Sequence, residues 1–212
     1  MFDFENYIKI KQEIRDFKKR TKIIAVSKNH PRESVEEALK CGVRIFGENR
    51  VQEAQNKFDN GLKKKFPDIE LHLTGPLQSN KTKEAIKLFD VFHTLDREKL
   101  AIEFTKYESV KSKYFFVQVN TGREKNKSGV FVEEVTDFVN YCKEDLLLNV
   151  VGLMCIPPIN EKPKDHFSFL ANEAQQNNLN QLSMGMSSDY IEAIKHNATY
   201  IRIGTSLFGK RI

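Results

Sequence analysis

Short runs of apolar residues alternate with longer amphipathic segments along the whole chain. The short runs are typical of strands that are buried on both faces, and the longer segments repeat apolar residues at helical spacing. Each predicted strand is followed by a predicted helix. The eight predicted strands are residues 23–26, 43–46, 70–74, 91–94, 114–120, 150–154, 181–184 and 200–203.

Helices are predicted from the apolar positions between and before these strands. Residues 3–20 carry an apolar residue at every third or fourth position and are predicted to form an opening helix that covers core. Ser34 followed by Glu37 is typical of a capping box at the start of the next helix, which Gly42 is predicted to end. The remaining predicted helices lie near residues 51–58, 80–89, 96–107, 132–142, 164–176 and 188–196.

Alternation of strands and helices predicts parallel strands with right-handed crossovers. Eight such units in 212 residues fit one α/β domain, residues 1–212, folded as a single (β/α)8 TIM-type barrel with an extra N-terminal helix. The alternative is an open doubly wound sheet, which usually has a glycine-rich nucleotide turn after its first strand. The corresponding turn here reads KNHP (28–31) and contains no glycine, so we favour the closed barrel.

Charge and composition narrow the functional classes. The net charge of +5 would permit contact with nucleic acid, but the lysines alternate with glutamates along predicted helices, as in KIKQE (9–13). We therefore expect solvated helix faces and no nucleic-acid partner. Three cysteines without CxxC spacing indicate neither a disulfide framework nor a zinc site, so no metal is expected. The acidic N-terminal segment and the lack of a long apolar run predict a cytoplasmic protein without a membrane partner.

Lys28 is the first candidate for chemistry, because it ends the apolar run IIAVSK (23–28) at the edge where barrel active sites lie. Partial desolvation at such a position favours the neutral amine, which can attack an aldehyde. A lysine at a strand end is more often simply solvated. The interpretation of Lys28 therefore depends on its neighbours.

The ends of the last two predicted strands and the turns that begin there are rich in small residues, SMGMS (183–187) and RIGT (202–205). In barrels of this type the loops after strands seven and eight typically hold phosphate. Ser187 precedes a predicted helix whose free amides favour an anion, while Gly204 allows close backbone approach and Thr205 adds a hydroxyl. Each residue alone would be explained by a helix cap or a tight turn. Together they predict a phosphate site.

Arg202 is predicted to point into the barrel, because its neighbours on the strand are isoleucines that face the helices. A buried arginine needs an acceptor, and a pyridine nitrogen would serve. The predicted site at one end of the barrel thus combines an amine, a phosphate site and a buried arginine that needs a hydrogen-bond acceptor. This combination predicts pyridoxal 5'-phosphate (PLP) as cofactor. Arginine donates only, so it would leave the ring a weak electron sink and disfavour carbanion chemistry.

Other polar residues are open to simpler explanations. Asn49, at the end of the second strand, is predicted to bond the phenolic oxygen of the cofactor, although a turn role is nearly as plausible. His72 and His93 lie within strands and are predicted to be hydrogen-bonded core residues, and Lys127 is predicted to belong to a charged loop.

Several long motifs in fixed order resemble the pyridoxal phosphate homeostasis protein family, single-domain relatives of the alanine racemase N-terminal barrel, which has PLP fold type III. By this resemblance Lys28 forms a Schiff base with PLP, Arg202 faces the ring nitrogen, and Ser187, Gly204 and Thr205 bind phosphate. The resemblance implies a carrier or buffer in intracellular PLP homeostasis without established turnover. The motifs are AVSK (25–28), FGENRVQE (46–53), GPLQSNK (75–81), GLM (152–154), LSMGMS (182–187) and RIGT (202–205).

Two enzymatic alternatives remain. A PLP-dependent amino-acid racemase needs a second acid-base residue opposite Lys28, normally tied to an added β domain, and the chain ends at Ile212. A Schiff-base aldolase would act on a sugar phosphate without cofactor. We expect a non-catalytic monomer whose partners are PLP, amino acids that exchange by transimination, and apo PLP enzymes that receive the cofactor.

Overall fold

The computed structural model describes residues 1–59 and 61–209. Eight strands close into a parallel barrel in the order β1-β2-β3-β4-β5-β7-β8-β9, with β9 paired back to β1, and the short β6 is added beside β5. The predicted closed barrel is confirmed. The strands of the described chain are β1 (Lys22–Val26), β2 (Ile45–Glu48), β3 (Glu70–Leu73), β4 (Val91–Leu95), β5 (Tyr114–Asn120), β6 (Val130–Phe131), β7 (Val150–Cys155), β8 (Gln181–Met186) and β9 (Tyr200–Ile203).

Helices occupy the connections between the strands. Two of them continue into π-helical segments, Gln55–Asp59 and Tyr141–Asp145. No helix in the described ranges has the length and apolar character needed to cross a membrane. The α-helices of the described chain are α1 (Phe4–Asp16), α2 (Arg32–Lys40), α3 (Val51–Ala54), α4 (Leu62–Lys65), α5 (Thr82–Leu88), α6 (Glu98–Thr105), α7 (Val135–Asn140), α8 (Pro163–Gln176), α9 (Tyr190–Lys195) and α10 (Thr205–Phe208).

Apolar side chains form two separate clusters because neighbouring strand residues point to opposite faces. Ile201 and Ile203 of β9 join the large cluster between the barrel and the helices. Tyr200, the alternate residue on the same strand, belongs to a small cluster inside the barrel with Ile24 and Phe116. Arg202 shares the inward face of β9 with Tyr200, as the sequence predicts.

The capping box predicted at Ser34 and Glu37 is wrong. Helix α2 begins at Arg32, directly after Pro31, and no side chain caps it. Ser34 is a buried residue in the first turn. The reason is that Pro31 already holds an extended backbone with φ −69° and ψ 162°, so the helix starts at the next residue. Gly42 ends the helix region with φ 83°, as predicted.

Strands β2 and β8 differ in extent from the prediction. Strand β2 begins at Ile45 and continues through Glu48, because the backbone of Gly47 pairs with β1 on one side and β3 on the other. Strand β8 continues to Met186, two residues beyond the predicted end at residue 184, so Gly185 and Met186 belong to the strand. Polar or glycine-containing ends of buried strands look like turns in the sequence, and pairing on both sides makes them strand.

The N-terminal helix α1 braces the last turn of the chain. Asp3 caps α1 by accepting from the Asn6 amide at 2.9 Å. The Asn6 side chain then donates to the Ser206 carbonyl at 2.5 Å, and the Asp3 amide donates to the Leu207 carbonyl at 2.7 Å. Helix α1 therefore fixes helix α10, whose first residue is Thr205.

Candidate functional site

A cavity of about 360 Å³ lies at the carboxyl ends of the barrel strands. This volume is within the usual range for small-ligand sites. All six residues predicted for the site line this cavity, so the structure brings them together. The lining residues within the described chain are Val26, Lys28, His30, Asn49, Thr74, Ile156, Met186, Ser187, Ser188, Arg202, Gly204 and Thr205.

Lys28 is half-buried and lies two residues after the end of β1. The residue before it, Ser27, is fully buried and anchored by three groups. Its amide donates to the Gly47 carbonyl at 3.1 Å, and its hydroxyl donates to Glu48 Oε1 at 2.6 Å. Its carbonyl accepts from Lys57 Nζ at 2.6 Å. The backbone that carries Lys28 is therefore held from the neighbouring strand and helix.

Lys57 forms a buried ion cluster behind Lys28. Its ammonium donates to Ser27, to Glu48 Oε1 at 2.9 Å and to Glu53 Oε1 at 2.7 Å, which uses all three of its hydrogens. Glu48 has no exposed surface, and burial raises the pKa of its carboxyl while the Lys57 ammonium opposes the rise. This cluster was not predicted from the sequence, where its only signal is a lysine on the apolar side of a short predicted helix.

The turns after β8 and β9 meet at the cavity, beside the end of β1. Ser187 Oγ accepts from the Ser206 amide at 3.4 Å, which joins the two turns. A side chain on Gly204 would place its Cβ 3.3 Å from the Val26 carbonyl, so glycine allows the last turn to pack closely on β1. Gly185, near the end of β8, has a φ of 91°, a left-handed backbone conformation that glycine adopts without strain, and it precedes the turn that contains Ser187. Ser187 and Thr205, which both carry hydroxyl groups, therefore line the same part of the cavity, where the two turns meet.

Arg202 lies at the inner wall of the cavity with 5% of its surface exposed. Nη1 donates to Ser183 Oγ at 2.7 Å and Nη2 donates to the Cys155 carbonyl at 2.8 Å. Burial lowers the pKa of the guanidinium from its usual value, but arginine starts so high that it stays protonated at neutral pH. The cavity therefore contains a cation that donates hydrogen bonds and accepts none.

Asn49 is oriented by the loop after β3. Thr74 Oγ1 donates to Asn49 Oδ1 at 3.1 Å, so the amide NH2 group is the donor that this side chain offers. Gly75 packs directly against the same residue, since a Cβ there would lie 2.5 Å from the Asn49 carbonyl. Thr74 is a lining residue that the sequence analysis missed, although it ends a predicted strand.

The remaining polar predictions can be compared with the structure directly. His72 and His93 are buried and hydrogen-bonded, as predicted. Lys127 is exposed, lies outside the cavity lining and pairs with Glu124 at 2.6 Å, as expected for a charged loop. The sequence analysis did not find His30, whose ring stacks on Phe208 at a centroid distance of 5.4 Å.

Cysteines and groups that bind a metal ion are two further features that could supply chemistry to a protein site. Burial raises the pKa of the Cys142 and Cys155 thiols to about 12, so both stay protonated and are poor nucleophiles at neutral pH. Within residues 1–59 and 61–209, no group of three or more His, Cys, Asp or Glu side chains is placed to hold a metal ion.

Comparison with known proteins identifies the family. The alanine racemase N-terminal domain model matches residues 5–211. The chain is 38% identical over 201 residues to the pyridoxal phosphate homeostasis protein of Aquifex aeolicus, covering 90% of this chain and 87% of that one. The chain belongs to the pyridoxal phosphate homeostasis protein family.

Solved structures agree with this family assignment. The chain is similar to PipY of Synechococcus elongatus, whose structure without PLP superposes with a TM-score of 0.84 at 35% identity. The structure of PipY with PLP bound gives a TM-score of 0.82 at 33% identity. Each comparison covers 97% of this chain and 99% of PipY.

Proposed function

We propose that this chain binds PLP in the cavity at the barrel mouth and takes part in intracellular PLP homeostasis as a carrier or buffer without turnover of its own. The proposal depends most on one observation, that Lys28, Arg202 and the turns after β8 and β9 line a single cavity. The relatives named for PLP homeostasis and the PLP complex of PipY support it.

The chemistry of the cavity fits the functional groups of PLP. Arg202 would donate toward a ring nitrogen and Asn49 toward a phenolic oxygen. Ser187, Gly204 and Thr205 supply hydroxyl and backbone donors for a phosphate, and no carboxylate in the described part of the lining opposes a dianion. When bound, PLP would supply an aldehyde, and the neutral amine of Lys28 would be the group to form a Schiff base with it, with loss of water.

The same residues argue against turnover. Arg202 donates only, so it cannot protonate a ring nitrogen and keep it charged, which an electron sink requires. Among the described lining residues there is no tyrosine, cysteine or carboxylate that would serve as a second acid-base group opposite Lys28. The one imidazole among these residues, His30, follows Lys28 by two positions in the same turn. The site is therefore suited to retain an aldehyde and release it.

The proposal extends to the wider role of the protein. Residues 1–212 act as one PLP-binding domain, and we place the protein in the cytoplasm as a monomer. Amino acids exchange onto the bound aldehyde by transimination, which needs only an amine and space. Apo PLP enzymes are the recipients. The free thiols of Cys41, Cys142 and Cys155 are consistent with a reducing compartment.

A spectrum and an exchange assay test the proposed function. Purified protein mixed with PLP is expected to turn yellow, and D- or L-alanine is expected to change the spectrum without racemisation, transamination or decarboxylation. Colourless protein would favour the cofactor-free aldolase. Solvent deuterium entering the α-carbon of alanine at roughly 1 per second or faster would identify an enzyme.

Replacing Thr205 tests the phosphate end of the cavity. Hydrogen bonds to charged groups contribute roughly 1.5 to 3 kcal/mol, so Thr205→Val is expected to weaken PLP binding about tenfold or more. Pyridoxal, which lacks the phosphate, serves as the matched ligand and should bind both proteins alike. Equal losses for the two ligands would show that Thr205 does not contact the phosphate.

A further inference from the structure

A chain of hydrogen bonds crosses the barrel interior and ends at Arg202. Ser183 Oγ accepts from Arg202 Nη1 at 2.7 Å and lies 2.8 Å from His93 Nδ1. His93 Nε2 lies 2.7 Å from His72 Nδ1, and His72 Nε2 lies 2.6 Å from Glu70 Oε1. We call Glu70, His72, His93 and Ser183 the interior relay.

The interior relay joins the two ends of the barrel. Glu70 is the first residue of β3, at the amino end, and its side chain is 37% exposed. His72, His93 and Ser183 have no exposed surface. Strands β5 and β7 separate β4 from β8 around the barrel wall, so His93 reaches Ser183 through the interior. A partly solvated carboxylate is thus connected to the guanidinium at the opposite end.

Both ends of the relay fix the direction of its hydrogen bonds. Arg202 can only donate, and an ionised Glu70 can only accept. The hydrogen bond from His72 holds the pKa of Glu70 below its usual value, so Glu70 is ionised at neutral pH. His72 must then carry its proton on Nε2 and accept at Nδ1. His93 likewise donates from Nε2 and accepts the Ser183 hydroxyl at Nδ1.

Burial and ring packing favour this neutral arrangement. Burial lowers the pKa of both His72 and His93, and the charge of Arg202 lowers that of His93 further. The His93 ring stacks on Phe116 at 4.5 Å, and the His72 ring packs 5.3 Å from Tyr200. The rings are therefore held in the planes in which the hydrogen bonds form.

We propose that the interior relay positions the Arg202 guanidinium at the cavity, so that a carboxylate at the amino end of the barrel orients a group at the carboxyl end. Arg202 forms no ion pair with any carboxylate of the described residues, and its two direct acceptors are neutral. Aligned hydrogen bonds polarise one another, so the chain from Glu70 strengthens Ser183 as an acceptor. The members of the relay are positioning residues. The consequence for PLP rests on the proposed function, whereas the relay itself does not.

Nuclear magnetic resonance of the ligand-free protein tests the relay directly. With ¹⁵N-labelled histidine at neutral pH, His72 and His93 are expected to be neutral with the proton on Nε2. The side-chain N–H signals of Arg202 are expected to exchange slowly because the guanidinium is held. A proton on Nδ1 of either histidine would overturn the proposal. This measurement requires no substitution.

Variants of Glu70 extend the test. Glu70→Ala removes the terminal acceptor, so mixed tautomers at His72 and broadened Arg202 signals are expected. Glu70→Gln retains a carbonyl acceptor and should restore both signals. Asp68→Ala is the matched control, because it removes a carboxylate two residues earlier that pairs with Arg44 at the surface and is 62% exposed. The control should behave as the wild type.

Added PLP then shows whether the relay matters for the ligand. Glu70→Ala is expected to bind PLP about fivefold more weakly, the order of loss for one hydrogen bond, with Glu70→Gln and Asp68→Ala within about twofold of wild type. Unchanged Arg202 signals and unchanged PLP affinity in Glu70→Ala would overturn the proposal. Wild-type protein that does not take up PLP would refute the proposed function, while the resonance data would still decide the relay.

Discussion

Lys28→Ala is expected to abolish the visible absorption band that PLP gives with this protein while leaving the fold intact. Lys28 is the residue that we propose supplies the amine, and as a half-buried residue near a strand end it contributes little to core packing. Borohydride reduction of the wild-type protein should trap the pyridoxyl group, and peptide mapping should locate it on Lys28. Unfolding curves for the variant should overlay those of the wild type.

Lys127→Ala is the matched control for this experiment. Lys127 is exposed, pairs with Glu124 and lies outside the cavity lining, so its removal should leave the absorption band unchanged. A pyridoxyl group mapped to Lys127, or a visible band retained in Lys28→Ala, would contradict the assignment of Lys28.

Lys57→Met is expected to destabilise the protein by about 3 kcal/mol, because removing one partner of a buried ion pair leaves the other charge uncompensated. Glu48, with no exposed surface, would be that charge. Its pKa, already raised by burial, would rise further without the Lys57 ammonium. A carboxyl with a raised folded-state pKa costs stability as pH rises through that value, so the deficit should be larger at pH 8 than at pH 5.

Urea unfolding at the two pH values measures this effect. Lys63→Met is the matched control, since Lys63 pairs with Asp90 in a partly exposed ion pair and its loss should cost about 1 kcal/mol or less. Adding Glu48→Gln to Lys57→Met should remove most of the pH dependence. A deficit that does not change with pH would show that Glu48 is not the uncompensated group.

The family-defining features were readable from the sequence because they are local. A strand buried on both faces needs a nearly continuous apolar run, so each barrel strand can be predicted from the sequence. Residues at the carboxyl ends of parallel strands converge, which is why Lys28, Asn49, Arg202 and Thr205 were predicted to share one site and do line one cavity. Alternation along β9 was enough to direct Arg202 inward.

Element ends were less predictable where polar residues or glycine stand inside paired strands. Gly47 and Glu48 read as a turn, yet pairing with β1 and β3 makes them part of β2. Gly185 and Met186 were predicted to lie beyond the strand, and pairing with β9 makes them part of β8. In each case hydrogen bonds to strands distant in sequence outweigh local preference.

The polar partnerships inside the molecule were decided only by the tertiary structure. Sequence periodicity tells whether a side chain points inward, but it does not tell which residue lies across the barrel. Lys57 meets Ser27 from 30 positions away, and His93 meets Ser183 from 90. Closure of the barrel brings these groups within hydrogen-bond distance, and burial then requires each donor to find an acceptor. The sequence alone therefore determined the barrel and the residues at its mouth, and the fold decided what holds them in place.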